Sequence, residues 1–150
     1  FEVGFMIQEF QENQILMKSL YTQYIEPVCS RHGLTRTELD ILLFLANNPK
    51  YDTASDIVEM RRLAKSHVST SVKALEKRRF LRRAYTPANR KTAHLSLCDA
   101  ALPAVRDGQT AQQDFFAAIF DGFSAEDHEL LSKLLKRVSQ NVRAHSAPPC

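Results

Sequence analysis

Thr35-Arg36-Thr37-Glu38 is a Thr-x-x-Glu capping box that opens onto the apolar run Leu39 to Leu45, which Asn47-Asn48-Pro49 closes. In such a box the hydroxyl and the carboxylate satisfy amides at the helix start, and a residue before proline is pushed out of the helical region. A helix of about three turns is therefore confined between two chemical stops. It is the second helix of the chain, because Val3, Met6, Phe10, Met17, Leu20, Tyr24 and Val28 recur at three-four spacing before it and predict a long amphipathic helix. Pro27 is expected to kink or end that first helix, with Gly33 as its stop.

Thr53 followed by Asp56 is a weaker cap of the same kind and starts a short helix through Ile57, Val58 and Met60. After Leu63, the segment Lys65 to Arg78 puts Val68, Val72 and Leu75 on one face and polar or basic residues on the others. Phe80–Tyr85 and Thr92–Leu97 are two short strands around the turn residues Thr86-Pro87-Ala88-Asn89. A further helix is predicted from Asp99 to Phe120, ended by Asp121-Gly122, and Ser124-Ala125-Glu126-Asp127 caps a last one bearing Leu130, Leu131, Leu134, Leu135, Val138 and Val142. The expected class is mostly α with a small β-hairpin wing. The first and last helices have too little chain around them to cover their apolar stripes, which predicts a two-fold dimer through both.

Charge is distributed along this pattern unevenly. Eleven of the twenty Lys and Arg fall between Arg61 and Lys91 with one acid, Glu76, a local balance of +10 against −7 for the rest. Such clustering is the electrostatic footprint of a nucleic-acid contact. Helix, turn, polar basic helix and basic hairpin, in that order, make a winged helix-turn-helix. One helix fits the major groove, where short polar side chains reach base edges while cations meet phosphates. Lys65, Ser66, His67, Ser69, Thr70 and Lys73 are the expected contacts on that helix, and the hairpin places Arg90 and Lys91 beside the adjacent minor groove.

The run from Leu34 to about Val142 resembles the multiple-antibiotic-resistance regulator (MarR) family. The matching stretches are Leu34-Thr35-x-Thr37-Glu38, Leu63-Ala64-Lys65-Ser66-His67-Val68-Ser69 through Leu75-Glu76-Lys77-Arg78, and Pro87-Ala88-Asn89-Arg90-Lys91 before Leu95-Ser96-Leu97. Their order and spacing together carry the resemblance. It implies a winged helix-turn-helix over residues 34–97, dimerisation helices over 1–33 and 98–147, and a small-molecule pocket between the two parts. Four positions depart from the family pattern. Ala64 stands where a Ser or Thr cap is usual, and Arg79 where Gly is, so that the helix either ends without a left-handed residue or bears strain. Thr86 and Asn89 replace two wing Asp, which predicts a more mobile tip and a less firmly held Arg90.

The leading expectation is a cytoplasmic homodimeric repressor of a pseudo-palindromic operator, released by a small-molecule effector. Two alternatives come from other classes: a winged helix that binds an acidic protein partner, and a thiol-based regulator through Cys29, with Arg31 and His32 favouring its thiolate. Cys98 is expected to be a packing or capping residue and Cys150 an incidental tail residue. His94 is expected to be structural. Phe115, Phe116, Phe120 and Phe123, with Tyr21 and Tyr24, are expected to serve as dimer core, or else to line an effector pocket. No nucleophile elbow, glycine-rich phosphate loop, HExxH or CxxC spacing is present, so neither an enzyme nor a metal or other cofactor is expected. No apolar run approaches the ~18 residues of a membrane span.

Overall fold

The computed structural model describes residues 3–146. The chain divides into two compact units, one ending at Phe115 and the other beginning at Phe116. In order, the elements are α1 (Val3–His32), α2 (Arg36–Asn47), α3 (Ala54–Arg61), α4 (Lys65–Lys77), β1 (Leu81–Thr86), β2 (Asn89–Leu97), a 3-10 turn (Asp99–Ala101), α5 (Leu102–Ile119) and α6 (Ala125–Ser146). The expected fold class, mostly helical with one antiparallel hairpin, is the one observed. Cys150 lies outside the described residues.

The local hydrogen bonds that the sequence announces are formed. Thr35 Oγ1 accepts from Glu38 N at 3.1 Å while Glu38 Oε2 accepts from Thr35 N at 3.0 Å. Thr53 and Asp56 close an equally complete box, at 3.1 Å in each direction, so this cap is not the weaker of the two. Pro27, by contrast, does not end α1, which continues to His32 and stops at Gly33 with φ 61°. Pro27 removes only the bond to the Gln23 carbonyl, and both residues are exposed, so the carbonyl left over is open to solvent rather than buried without a donor.

α2 is the centre of the first unit. Leu39, Ile41, Leu42, Leu43, Phe44 and Leu45 are all buried, a helix apolar on nearly every side. Ile25 and Val28 of α1, Ile57 of α3, Val68, Val72 and Leu75 of α4, Leu81 and Leu95 of the hairpin, and Ala104 and Val105 of α5 complete one core with it. α5 approaches α2 closely at Gly108, where an added Cβ would meet Leu43 Cδ2 at 2.8 Å. A chain of amides then ties three helices: Gln109 Nε2 donates to Asn47 Oδ1, Asn47 Nδ2 to Gln112 Oε1 and Gln112 Nε2 to Tyr21 Oη, each at 3.0 Å. Hydrogen bonds from His32 and then Arg31 to Asp107 hold its carboxyl below the usual aspartate range.

The aromatic residues divide between the units. Phe115 is buried edge-on against Tyr21 and Tyr24, at centroid distances of 5.1 and 6.2 Å. In the second unit Phe116 stacks on Phe120 at 5.9 Å, and Phe120 and Phe123 meet His128. Ser124 and Asp127 form the capping box of α6, and the Ser124 amide first, then its hydroxyl, lowers the Asp127 carboxyl. α6 has no buried residue; Leu130, Leu134, Leu135, Val138 and Val142 are exposed. Val3, Met6, Phe10 and Met17 of α1 are exposed as well, so each unit carries an uncovered apolar stripe. No helix among the described residues is long and apolar enough to cross a membrane.

Candidate nucleic-acid interface

α4 is anchored by Val68, Ser71, Val72 and Leu75, a stripe at helical spacing that faces the core. The opposite side is open. Lys65, Ser66, His67, Ser69, Thr70 and Lys73 are all exposed, which gives the helix two cations and four short polar or imidazole side chains on its solvent side. Its N-cap, Ala64, makes no side-chain cap bond, and Ser66 does not substitute for one. The first amides of α4 therefore present donors and the positive end of the helix dipole outward.

Both ends of this helix are set by left-handed arginines. Arg62, the C-cap of α3, has φ 54°, which turns the chain through Leu63 and Ala64 into α4. Arg79 has φ 59°, with its amide on Glu76 O and the Phe80 amide on Leu75 O, both at 2.9 Å. Of the two outcomes open for Arg79, the backbone takes the left-handed one, which costs a residue with a Cβ about 1–2 kcal/mol. Arg79→Gly is accordingly expected to raise the unfolding free energy by about 0.5–1 kcal/mol, after the entropy that glycine itself loses. Urea denaturation measures this, and an unchanged or lower midpoint would show that no strain is relieved.

The hairpin differs from expectation in the extent of its strands. Leu81↔Leu97, Arg82↔Ser96, Arg83↔Leu95 and Ala84↔His94 pair regularly, but the next pair is Thr86↔Asn89. Tyr85 alone stands between these pairs on β1, whereas Arg90, Lys91, Thr92 and Ala93 stand between them on β2. β2 thus begins at Asn89 rather than Thr92 and bulges outward at its two cations. Asn89 organises the bulge: its Oδ1 accepts from Lys91 N at 3.0 Å and Thr92 N at 3.3 Å, and its Nδ2 donates to Thr92 Oγ1 at 3.1 Å. Thr86 Oγ1 accepts from Asn89 N at 3.2 Å. Where the two carboxylates of the family pattern are missing, a neutral amide and a hydroxyl bond the tip backbone. Arg90 itself, exposed, has no hydrogen-bond or ionic partner among the described residues.

Three contacts fasten the wing to the body. Arg83 Nε meets Glu76 Oε1 of α4 at 2.9 Å, His94 Nδ1 meets Asp52 Oδ1 at 2.8 Å, and Leu95 N donates to Asp52 O at 2.7 Å. His94 is structural, as expected. Between α3, α4 and β2 lies a cleft of about 310 Å³ lined by Val58, Val68, Val72, Ala93 and Leu95, with Lys65, Ser69 and Arg83 also in its wall. Arg61, Arg62 and Arg82 are further exposed cations of the basic stretch. Arg61 and Arg62 are absent from the contacts singled out by sequence, although the charge count contained them.

The cysteines sit differently. Cys98 takes the N-cap position of the 3-10 turn, donating its amide to Phe80 O. Cys29 is buried, and burial first, then the Glu26 carboxylate, pushes its thiol up. Arg31 and His32, expected to favour a thiolate there, are engaged by Asp107 instead. Among the described residues no group of three or more His, Cys, Asp or Glu is placed to hold a metal ion.

The sequence model of the MarR family matches residues 32–91. No curated protein sequence matches the chain. Among solved structures it is similar to a MarR family transcriptional regulator from Listeria monocytogenes complexed with 26mer DNA, at 14% identity and TM-score 0.74 over 89% of this chain and 87% of that one. Staphylococcus aureus MarR in complex with salicylate and kanamycin is similar at 16% identity and TM-score 0.75, over 95% of each chain. A MarR family transcriptional regulator from Silicibacter pomeroyi follows at 14% identity and TM-score 0.75, over 93% and 92%. At such identities the structural likeness speaks for the fold, and the sequence match speaks for the segment from α1's last residue through the wing tip. By that likeness the chain has the winged-helix fold of these regulators, and over residues 32–91 its sequence is similar to the MarR family.

Proposed function

We propose that the protein is a DNA-binding transcriptional regulator rather than an enzyme: a cytoplasmic homodimeric repressor that occupies a pseudo-palindromic operator and is released by a small-molecule effector. Residues 34–97 would bind DNA, and the apolar stripes of residues 1–33 and 98–147 would meet their copies in a second subunit. One observation carries the reading. The exposed side of α4 holds Lys65, Ser66, His67, Ser69, Thr70 and Lys73 together with an uncapped N-terminus, and the wing bulge adds unengaged Arg90 and exposed Lys91. Polar side chains for base edges, flanked by cations and free amides for phosphates, are what a major-groove helix requires.

The cleft beside α4 supports release by an effector. Lys65 and Ser69 belong both to its wall and to the DNA-facing set, so a ligand with an apolar body and an anionic group there competes with DNA for the same residues. The likeness to a regulator that has been seen with salicylate adds to this reading.

Selection of duplexes from a random pool tests the proposal. The enriched sequence is expected to be palindromic, with half-sites about one helical turn apart, and the selected complex to dissociate when an aromatic carboxylate is titrated in. A pool that never enriches would sink the DNA reading. Displacement of the protein from every duplex by an acidic protein at equal concentration would favour the protein-partner alternative.

A further inference from the structure

Arg78 belongs to the basic stretch by sequence, yet its guanidinium, though exposed, is engaged by the chain itself. Nη1 donates to Gly33 O at 2.8 Å and Nη2 to His32 O at 2.9 Å, and the group lies over the Phe80 ring at 4.4 Å from its centroid. Those carbonyls end α1, where the helix has run out of its own donors. Arg78 is also the C-cap of α4. One cation therefore sits where the carbonyl ends of two helices come together, and the partial negative charge of each favours it there. Among the described residues these two bonds are the hydrogen-bonded ties between α4 and α1. The same end of α1 is gripped by α5, since Arg31 and His32 both reach Asp107 Oδ2, at 2.9 and 2.7 Å.

We infer that Arg78 is a positioning residue that fixes the recognition helix α4 relative to α1 and, through Arg31, His32 and Asp107, relative to α5. This rests on the proposed dimeric, DNA-binding function. α1 itself carries an apolar stripe that would meet the second subunit, so the pose of α4 on α1 sets the distance between the two recognition helices. A planar fork suits this task, because it reaches two carbonyls at once, whereas a lysine ammonium is a point charge on a flexible stem. Arg78 touches no DNA in this role; its effect appears as selectivity for half-site spacing.

The experiment measures affinity for the selected duplex and for versions with one or two base pairs added to or removed from the spacer, alongside thermal unfolding. The parent is expected to prefer its own spacing by about tenfold or more over a one-base-pair change, since helical phase and separation both shift. Arg78→Met, which keeps the packing on Phe80 but loses both bonds, is expected to cut that preference to less than about threefold while binding the altered spacings no worse, and Arg78→Lys to lie between. Equal weakening on every spacing would reduce Arg78 to a fold-stabilising residue and overturn the inference, as would an unchanged preference. If Arg78→Met does not fold, Arg78→Lys decides: a narrowed preference upholds the inference and an unchanged one overturns it. A parent that binds no duplex defeats the proposed function and this inference with it, a result distinguishable because the failure is the parent's.

Discussion

Leu75→Ala is expected to lower the unfolding free energy by about 2–5 kcal/mol, the range for truncating a fully buried leucine when the cavity does not collapse. Leu75 is completely buried, lies on the inner face of α4, and belongs to the core built around α2. Two helices and the start of the hairpin converge near it, and its carbonyl accepts the Phe80 amide that turns the chain into β1. Relaxation into the space is therefore opposed from several directions. Equilibrium urea denaturation reads the loss directly, and one below about 1 kcal/mol would place Leu75 at a site able to repack. DNA affinity should fall as well, since the exposed residues of α4 are aimed by the buried ones.

Raising salt from about 50 to about 200 mM is expected to weaken operator binding by about three orders of magnitude, the counterion effect for a protein that meets six or more phosphates. Lys65, Lys73, Arg90 and Lys91 in each subunit of the proposed dimer are enough cations for that. Lys65→Ala should weaken binding on all sequences and flatten the log-log slope by about 1 per lost phosphate contact. Arg90→Ala should weaken binding most where A·T-rich flanks narrow the minor groove. Fluorescence anisotropy over a salt series measures both. A flat slope for the parent would remove the electrostatic basis of the interface.

What the sequence made legible follows from how far each interaction reaches along the chain. Thr35 with Glu38, Thr53 with Asp56 and Ser124 with Asp127 are bonds over three residues, and each formed where the pattern put it. The solvent face of α4 was legible because Val68, Val72 and Leu75 define its opposite. Of the two outcomes expected of Pro27, an end to α1 does not occur, because the cost of its missing donor depends on whether the Gln23 carbonyl is exposed, a matter of tertiary placement. The β2 start was placed three residues late, because the Asn89 side chain binds the amides of Lys91 and Thr92 and so folds the bulge into the strand. Arg78 with Gly33, His94 with Asp52 and Gln112 with Tyr21 are long-range pairs. Periodicity tells which face is inward but not which residue waits there.

Arg62 and Arg79 leave a margin of stability unused in this chain. Each occupies a left-handed position that glycine would fill without strain, one at either end of α4. Each is also an exposed cation of the basic stretch, so glycine at either site would exchange charge beside α4 for backbone ease. The folded state then leans on the buried leucines of α2 and α4, where a truncation meets the least slack.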